Sequence, residues 1–118
     1  ALRGRSVAVD VFVEVEVGGE RCGVPPQEAA RLARAVHEHH GDGLRLAGLQ
    51  AYDGRAQHLG SVAERQGAIR QTVARAAQAR DALLDAGLPC PLVTGGGTGS
   101  FEIESTSGVY GEIQPGSY

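Results

Sequence analysis

From Val7 to Val17 every odd position is valine, while the even positions run Ala8, Asp10, Phe12, Glu14 and Glu16. A β-strand, whose side chains alternate between two faces, is the element that turns this series into one apolar and one mixed face. Gly18-Gly19-Glu20-Arg21-Cys22-Gly23 then forms a turn-rich loop, and Pro25-Pro26 opens a segment in which Ala29, Leu32, Ala33, Val36 and His40 share one helical face. That helix is expected to end near Gly41.

The alternation of strand and helix continues along the chain. Leu44 to Ala51 (LRLAGLQA) fits a short buried strand leading into a polar loop, Tyr52 to His58. Ser61 and Glu64 have the spacing of a capping box and start a long helix, with Ile69, Val73, Ala76, Ala77, Leu83 and Leu84 on one face and Arg65, Gln71, Arg75 and Gln78 opposite. Gly87 with Leu88-Pro89 ends it. Pro91 to Thr94 reads as another buried strand, Gly95 to Gly99 as a tight loop, and Gly108 to Gln114 as a last strand.

The resulting order, β, α, β, α, β, loop, β, calls for parallel βαβ units, with a loop after each strand where α/β folds place their sites. Four strands and two clear helices are about half of an eight-stranded barrel of about 250 residues. The expected fold class is therefore α/β, a partial (β/α)8 TIM-type barrel with parallel strands, with residues 1–118 an internal part of the barrel domain. The missing initial methionine and the end at Gly116-Ser117-Tyr118, directly after a strand, fit that expectation. A small open sheet complete in itself is the competing architecture, and its edges would need other protection.

Charge narrows the partners. The net charge is -3 and the 11 basic side chains, all arginine, are dispersed, so neither a nucleic-acid backbone nor an anionic membrane is expected as a partner. No apolar run approaches the roughly 18 residues of a membrane span and no secretory signal opens the chain, which points to a cytoplasmic protein. Cys22 and Cys90 lack metal-ligand spacing and read as buried free thiols of a reducing compartment. There is no lysine, so the chain cannot itself form a side-chain Schiff base.

The stretch Thr94 to Ser100 (TGGGTGS) directly follows a strand, and glycines there let backbone N–H groups approach an anion while hydroxyls add donors. It matches neither the Walker pattern nor a dinucleotide fingerprint, and a plain glycine loop is the alternative. Gly116 and Ser117 end the next strand and offer further donors on the same rim. Arg21 can bond a phenolate or carboxylate, or be a surface arginine. Tyr52, Gln50 and Gln57 gather at the mouth of the second strand, where a ring can stack on a flat cofactor and an amide can meet a ring nitrogen, or simply pack the loop. His37, Glu38, His39 and His40 close a helix where histidines complement its dipole, a better reading than a metal site. Asp10, Glu14 and Glu16 share a strand face as a carboxylate row, expected to be solvated or mutually compensated rather than catalytic.

Together VFVEVEVGGERCGVPP, LAGLQAYDGRAQH, VTGGGTGSFE and GEIQPGSY resemble the pyridoxal-phosphate enzymes of the D-threonine aldolase and D-serine dehydratase group, which are similar to the alanine racemase N-terminal barrel. The resemblance covers nearly the whole chain. It implies that Arg21 lies beside the phenolic oxygen of pyridoxal 5'-phosphate, that Tyr52 takes the ring-face position usually held by histidine in racemases, and that Gln50 and Gln57 border the ring. It implies further that Thr98 with Gly97, and Gly116 with Ser117, hold the phosphate, with Tyr118 continuing that contact. Gln114 stands where racemases carry an arginine opposite the pyridine nitrogen, which argues against racemase activity.

In the group resembled, the Schiff-base lysine lies on an earlier strand and the ligands of a divalent metal lie in a later domain, both outside this chain, and the parent is a homodimer. The implied activity is cleavage of D-3-hydroxy amino acids, D-threonine giving glycine and acetaldehyde. D-serine dehydratase-type ammonia loss is the alternative within the group, and a non-catalytic cofactor-binding remnant the alternative outside it. The chain by itself, lacking lysine, is expected to be inactive.

Overall fold

The computed structural model describes residues 7–117, in which four strands form one parallel sheet in chain order, β1 (Val9–Glu14), β2 (Leu44–Ala51), β3 (Val93–Gly95) and β4 (Glu112–Ile113). Between them lie α1 (Ala29–Glu38), α2 (Val62–Asp85) and α3 (Phe101–Ser105). The helices pack side by side, α1 on α2 and α2 on α3, and α1 also covers β1 and β2. Sequential strand order with one layer of helices is the arrangement of a barrel segment; a doubly wound sheet reverses its strand order at a switch point. The expected α/β class with parallel strands is borne out.

Only the C-terminal half of the valine series is covered. Val13, Val15 and Val17 are buried, whereas Val9 is 43% exposed, and ladder pairing stops at Glu14. Beyond it the chain doubles back: Val15 and Val24 form an isolated bridge, and Glu16 and Glu14 exchange backbone hydrogen bonds with Val24 at 2.8 and 2.9 Å. The strand is therefore shorter than Val7 to Val17, because its last residues are spent holding a loop.

Pro25-Pro26 leads into a 3-10 turn (Pro26–Glu28) before α1 proper. Ala29 and Ala33 are fully buried against the sheet, so their small side chains let the helix sit close; Leu32, expected inside, is exposed, and His40 falls past the helix end. Helix α2 begins as expected: Ser61 Oγ accepts the Glu64 N–H at 3.1 Å while the Glu64 carboxylate accepts the Ser61 N–H, closing the capping box. Its buried face is Ile69, Thr72, Ala76, Ala79 and Leu83, a narrower stripe than expected, and Leu84 points outward at 53% exposure. At its end the Gly87 and Leu88 N–H groups return to Leu84 and Leu83 carbonyls.

Two expectations about the later segments need correction. The stretch after the glycine loop contains α3, which carries no helical apolar period and is one turn long, tied off by Ser107 Oγ on the Glu104 carbonyl and Thr106 Oγ1 on the Glu102 carbonyl. The last strand pairs only at Glu112–Ile113, not over Gly108 to Gln114, because Tyr110 is drawn into the core, its hydroxyl donating to the Ala51 carbonyl at 3.0 Å.

On the sheet face away from the helices, one register row crosses all four strands: Glu14, Gln50, Thr94 and Glu112. The strand C-termini and the loops that follow them form a single rim.

Candidate functional site

The loop after β1 is organised by Glu16, whose carboxylate accepts the N–H groups of Gly18 at 2.7 Å and Glu20 at 3.0 Å and meets Arg75 of α2 at 3.5 Å. Those backbone bonds, then the Arg75 and Arg55 charges, hold its carboxyl below the usual range. This fold-back presents Arg21 and Cys22 over the end of the strand. The Cys22 thiol donates to Glu14 at 2.9 Å, and Arg21 lies close enough to Cys22, Glu14 and Tyr52 that its guanidinium is held the more firmly charged, Cys22 contributing most. Cys22 is thus an exposed thiol and Cys90 a half-buried one, not the two buried thiols expected. Burial pushes the Cys90 thiol up.

The loop after β2 is fixed from below. Asp53 is buried and accepts from Arg55 N–H at 2.9 Å, Ala56 N–H at 3.1 Å and the Thr72 hydroxyl of α2 at 3.1 Å. The resulting 3-10 turn (Ala56–His58) brings Gln57 back onto Tyr52, its Nε2 donating to the phenol oxygen at 2.6 Å, while Gln57 Oε1 accepts the Gly99 N–H at 3.2 Å. One carboxamide thus joins the second rim loop to the third. A Cβ on Gly97 would lie 2.4 Å from that carboxamide, so a side chain there would displace Gln57 from its two partners.

In the glycine-rich loop the Gly97 N–H turns inward to the Ser100 hydroxyl at 2.9 Å, which leaves fewer outward backbone donors than the sequence suggests. Thr98 supplies the replacement. Its Oγ1 accepts the Ser117 N–H at 2.9 Å, so its own O–H remains a donor, and the third and fourth rim loops meet at this contact.

Arg21, Tyr52, Gln57 and Ser117 line one cleft of about 390 Å³, with Thr98 reached through Ser117. Gln50 is not on its wall: its carboxamide pairs with Gln114 in both directions, at 3.2 and 2.9 Å, and Gln114 also donates to Thr94. Gly116 is exposed beside Ser117, and Tyr118 lies outside the described residues. The same cleft is lined by Glu14, Cys22, Arg55 and His58, which sequence spacing did not single out for it. The row of carboxylates is compensated one by one: Asp10 is paired with Arg45, Glu14 with Cys22, and Glu16 with its own loop. His39 at the end of α1 contacts the Ala35 carbonyl through Nδ1, remote from the rim.

A family model described as alanine racemase, N-terminal domain, matches residues 1–118. The chain belongs to that family. Within the alanine racemase N-terminal domain family it is 46% identical over 110 residues to a D-threonine aldolase of an Arthrobacter species, covering 93% of this chain and 29% of that relative. A D-threo-3-hydroxyaspartate dehydratase of Delftia sp. strain HT23 is 30% identical over 116 residues, 98% of this chain and 30% of the relative. The crystal structure of D-threonine aldolase from Filomicrobium marinum superposes with a TM-score of 0.88 at 49% identity, covering 94% of this chain and 30% of that one. The chain thus spans about three tenths of the length of the relatives it matches. The resemblance read from the four sequence motifs is borne out, and the barrel-type fold with it.

Proposed function

We propose that residues 1–118 are the internal, cofactor-holding part of the barrel domain of a pyridoxal-phosphate-dependent lyase that cleaves D-3-hydroxy amino acids, turning D-threonine into glycine and acetaldehyde. The observation that carries the reading is the convergence of side chains from four rim loops, with Arg21, Tyr52, Gln57 and Ser117 on one cleft and Thr98 bonded to Ser117. The similarity to D-threonine aldolases supports the choice of reaction.

The donor set fits pyridoxal phosphate. An aromatic ring, a charged guanidinium, and hydroxyl donors at Thr98 and Ser117 suit a flat ring carrying a phenolic oxygen and a phosphate. When bound, the cofactor supplies an electron sink for the pair released as a bond at the amino acid's Cα breaks. Arg21 would hold the phenolic oxygen, and Tyr52, oriented by Gln57, would flank the ring. Thr98, and Gly116 with Ser117, would hold the phosphate, Gly97 supplying the tight turn that precedes Thr98. Gln50 acts one step back, fixing Gln114, whose neutral amide would stand toward the ring nitrogen in place of a cation and disfavour racemisation. The lysine and the ligands of a divalent metal come from outside residues 1–118, so the chain alone is inactive. The whole protein is a cytoplasmic homodimer acting on a small D-amino acid.

Identity to the Delftia dehydratase favours a second reading, loss of the 3-hydroxyl and ammonia. A product assay on the full-length protein separates the two. Glycine and acetaldehyde from D-threonine support the aldolase, 2-oxobutanoate and ammonia the dehydratase, and neither product a non-catalytic remnant. Thr98→Ala should weaken pyridoxal-phosphate binding roughly tenfold, the loss of one charge-assisted hydrogen bond of about 1.5 kcal/mol. Unchanged affinity would remove Thr98 from the phosphate cradle.

A further inference from the structure

Glu104 is the most buried carboxylic acid of the rim and takes no part in the scheme above. It sits on α3 directly behind the glycine-rich loop, 1% exposed, and its Oε2 is buried without a hydrogen-bond partner. Among the described residues no cation pairs with it.

The carboxyl fills the space under the loop. Gly96 has φ +71°, and a Cβ there would lie 2.6 Å from Glu104 Oε2 and 3.1 Å from Ile113 Cδ1, so the loop turns in a left-handed conformation immediately above the acid. The Glu104 N–H donates to the Ser100 carbonyl at 3.3 Å, and the Ser100 hydroxyl, beside the same carboxyl, accepts the Gly97 N–H at 2.9 Å and donates to the Gly97 carbonyl at 3.3 Å, which links Glu104 through Ser100 to the peptide that precedes Thr98. Removing Glu104 takes away the floor on which Gly96, Gly97 and Ser100 rest.

We propose that Glu104 is a positioning residue for the phosphate cradle: its buried carboxyl holds, through Gly96 and Ser100, the loop conformation that presents Thr98 to a phosphate. The inference rests on the cofactor reading above and goes beyond it, because Glu104 lines neither that cleft nor the Ser117 contact.

The Glu104 carboxyl holds its proton more firmly than an ordinary glutamate does. Burial raises its affinity for the proton, the Ser100 hydrogen bond lowers it, and the Asp53 charge raises it again. The groups that face it are Ser100 at the N-cap of its own helix, Asp53 from the loop after β2, and Tyr110 from the segment before β4. None of them is a cation. A bound phosphate adds negative charge to this surrounding, so ionisation of Glu104 and phosphate binding oppose each other.

The test uses the full-length protein, with pyridoxal phosphate, pyridoxal lacking the phosphate, and inorganic phosphate as probes. Glu104→Gln, which keeps the shape and cannot ionise, should bind pyridoxal phosphate within about threefold of the native protein at neutral pH. It should also lack the native protein's loss of affinity as pH rises. Glu104→Ala should lose tenfold or more for pyridoxal phosphate with pyridoxal unchanged, while circular dichroism shows a folded chain. An Ala variant that binds both aldehydes as the native protein does, or loses both equally, overturns the inference and leaves the cofactor reading in place. Phosphate bound by the native protein and lost in Glu104→Ala, with no binding of pyridoxal phosphate to either, overturns the cofactor reading and supports this one. No binding of any probe to the native protein overturns both.

Discussion

Thr72→Val tests whether the loop carrying Tyr52 and Gln57 is held by a single buried hydroxyl. Thr72 is 1% exposed, and its Oγ1 lies 3.1 Å from Asp53 Oδ2 and 3.2 Å from the Val17 and Ala68 carbonyls. One hydroxyl proton serves one acceptor at a time, and the carboxylate is the strongest of the three. Valine keeps the shape and deletes the donor. A hydrogen bond to a charged group contributes about 1.5–3 kcal/mol, and the added methyl returns part of it, which leaves a net loss of about 2 kcal/mol, roughly thirtyfold in the folding equilibrium. Asp53 keeps its two backbone partners, Arg55 and Ala56, so the loss stays below the cost of a fully orphaned buried carboxylate.

Urea unfolding of the native protein, Thr72→Val and Thr72→Ser measures it, the serine variant retaining the hydroxyl and losing one methyl. In an Asp53→Ala background the valine substitution should cost at least 1 kcal/mol less than it does alone. Equal midpoints for the valine and serine variants, or no coupling to Asp53, would refute the argument that this bond anchors the loop.

Ser61→Ala removes one half of the capping box and should cost about 1 kcal/mol, read as a lower urea midpoint with faster amide exchange in the first turn of α2. Tyr110 supplies a pH dependence: burial first, then the Glu104 and Asp53 charges, push its phenol far above its ordinary value of 10.0. The folded chain therefore keeps a proton that the unfolded chain has released, so stability present below about pH 10 is lost as pH rises beyond it. Tyr110→Phe should flatten that alkaline decline while losing about 1 kcal/mol at neutral pH through the missing bond to the Ala51 carbonyl. An alkaline unfolding curve parallel to that of the native protein would show that another group is responsible.

Much of the fold was legible in the sequence because the signals were local. The run Leu44 to Ala51 is a strand over the same residues, and Ser61 with Glu64 caps α2 as their spacing demands. Local signals misplaced what neighbours decide. Leu32 and Leu84 are apolar yet exposed, and Ala79 and Thr72 are buried because the surfaces facing them are close. The cleft residues Arg21, Tyr52, Gln57 and Ser117 were legible through their motifs, whereas Gln50 belongs to a side-chain pair with Gln114 that sequence separation conceals. Glu104 gave no signal, since a glutamate in a short polar segment reads as solvated until the backbone above it is seen.

By itself the sequence determined the parallel alternation of strand and helix, the caps, the glycine loop and the absence of a lysine, each a property of near neighbours or of composition. Tertiary structure alone decided that the loops of Arg21 and Ser117, distant in the chain, share one cleft, and that Thr98 Oγ1 accepts the Ser117 N–H while keeping its own O–H as a donor. The physical reason is that side-chain periodicity assigns a face to each residue, while the partner across that face is chosen by chain crossings, and the state of a buried acid such as Glu104 depends on that partner.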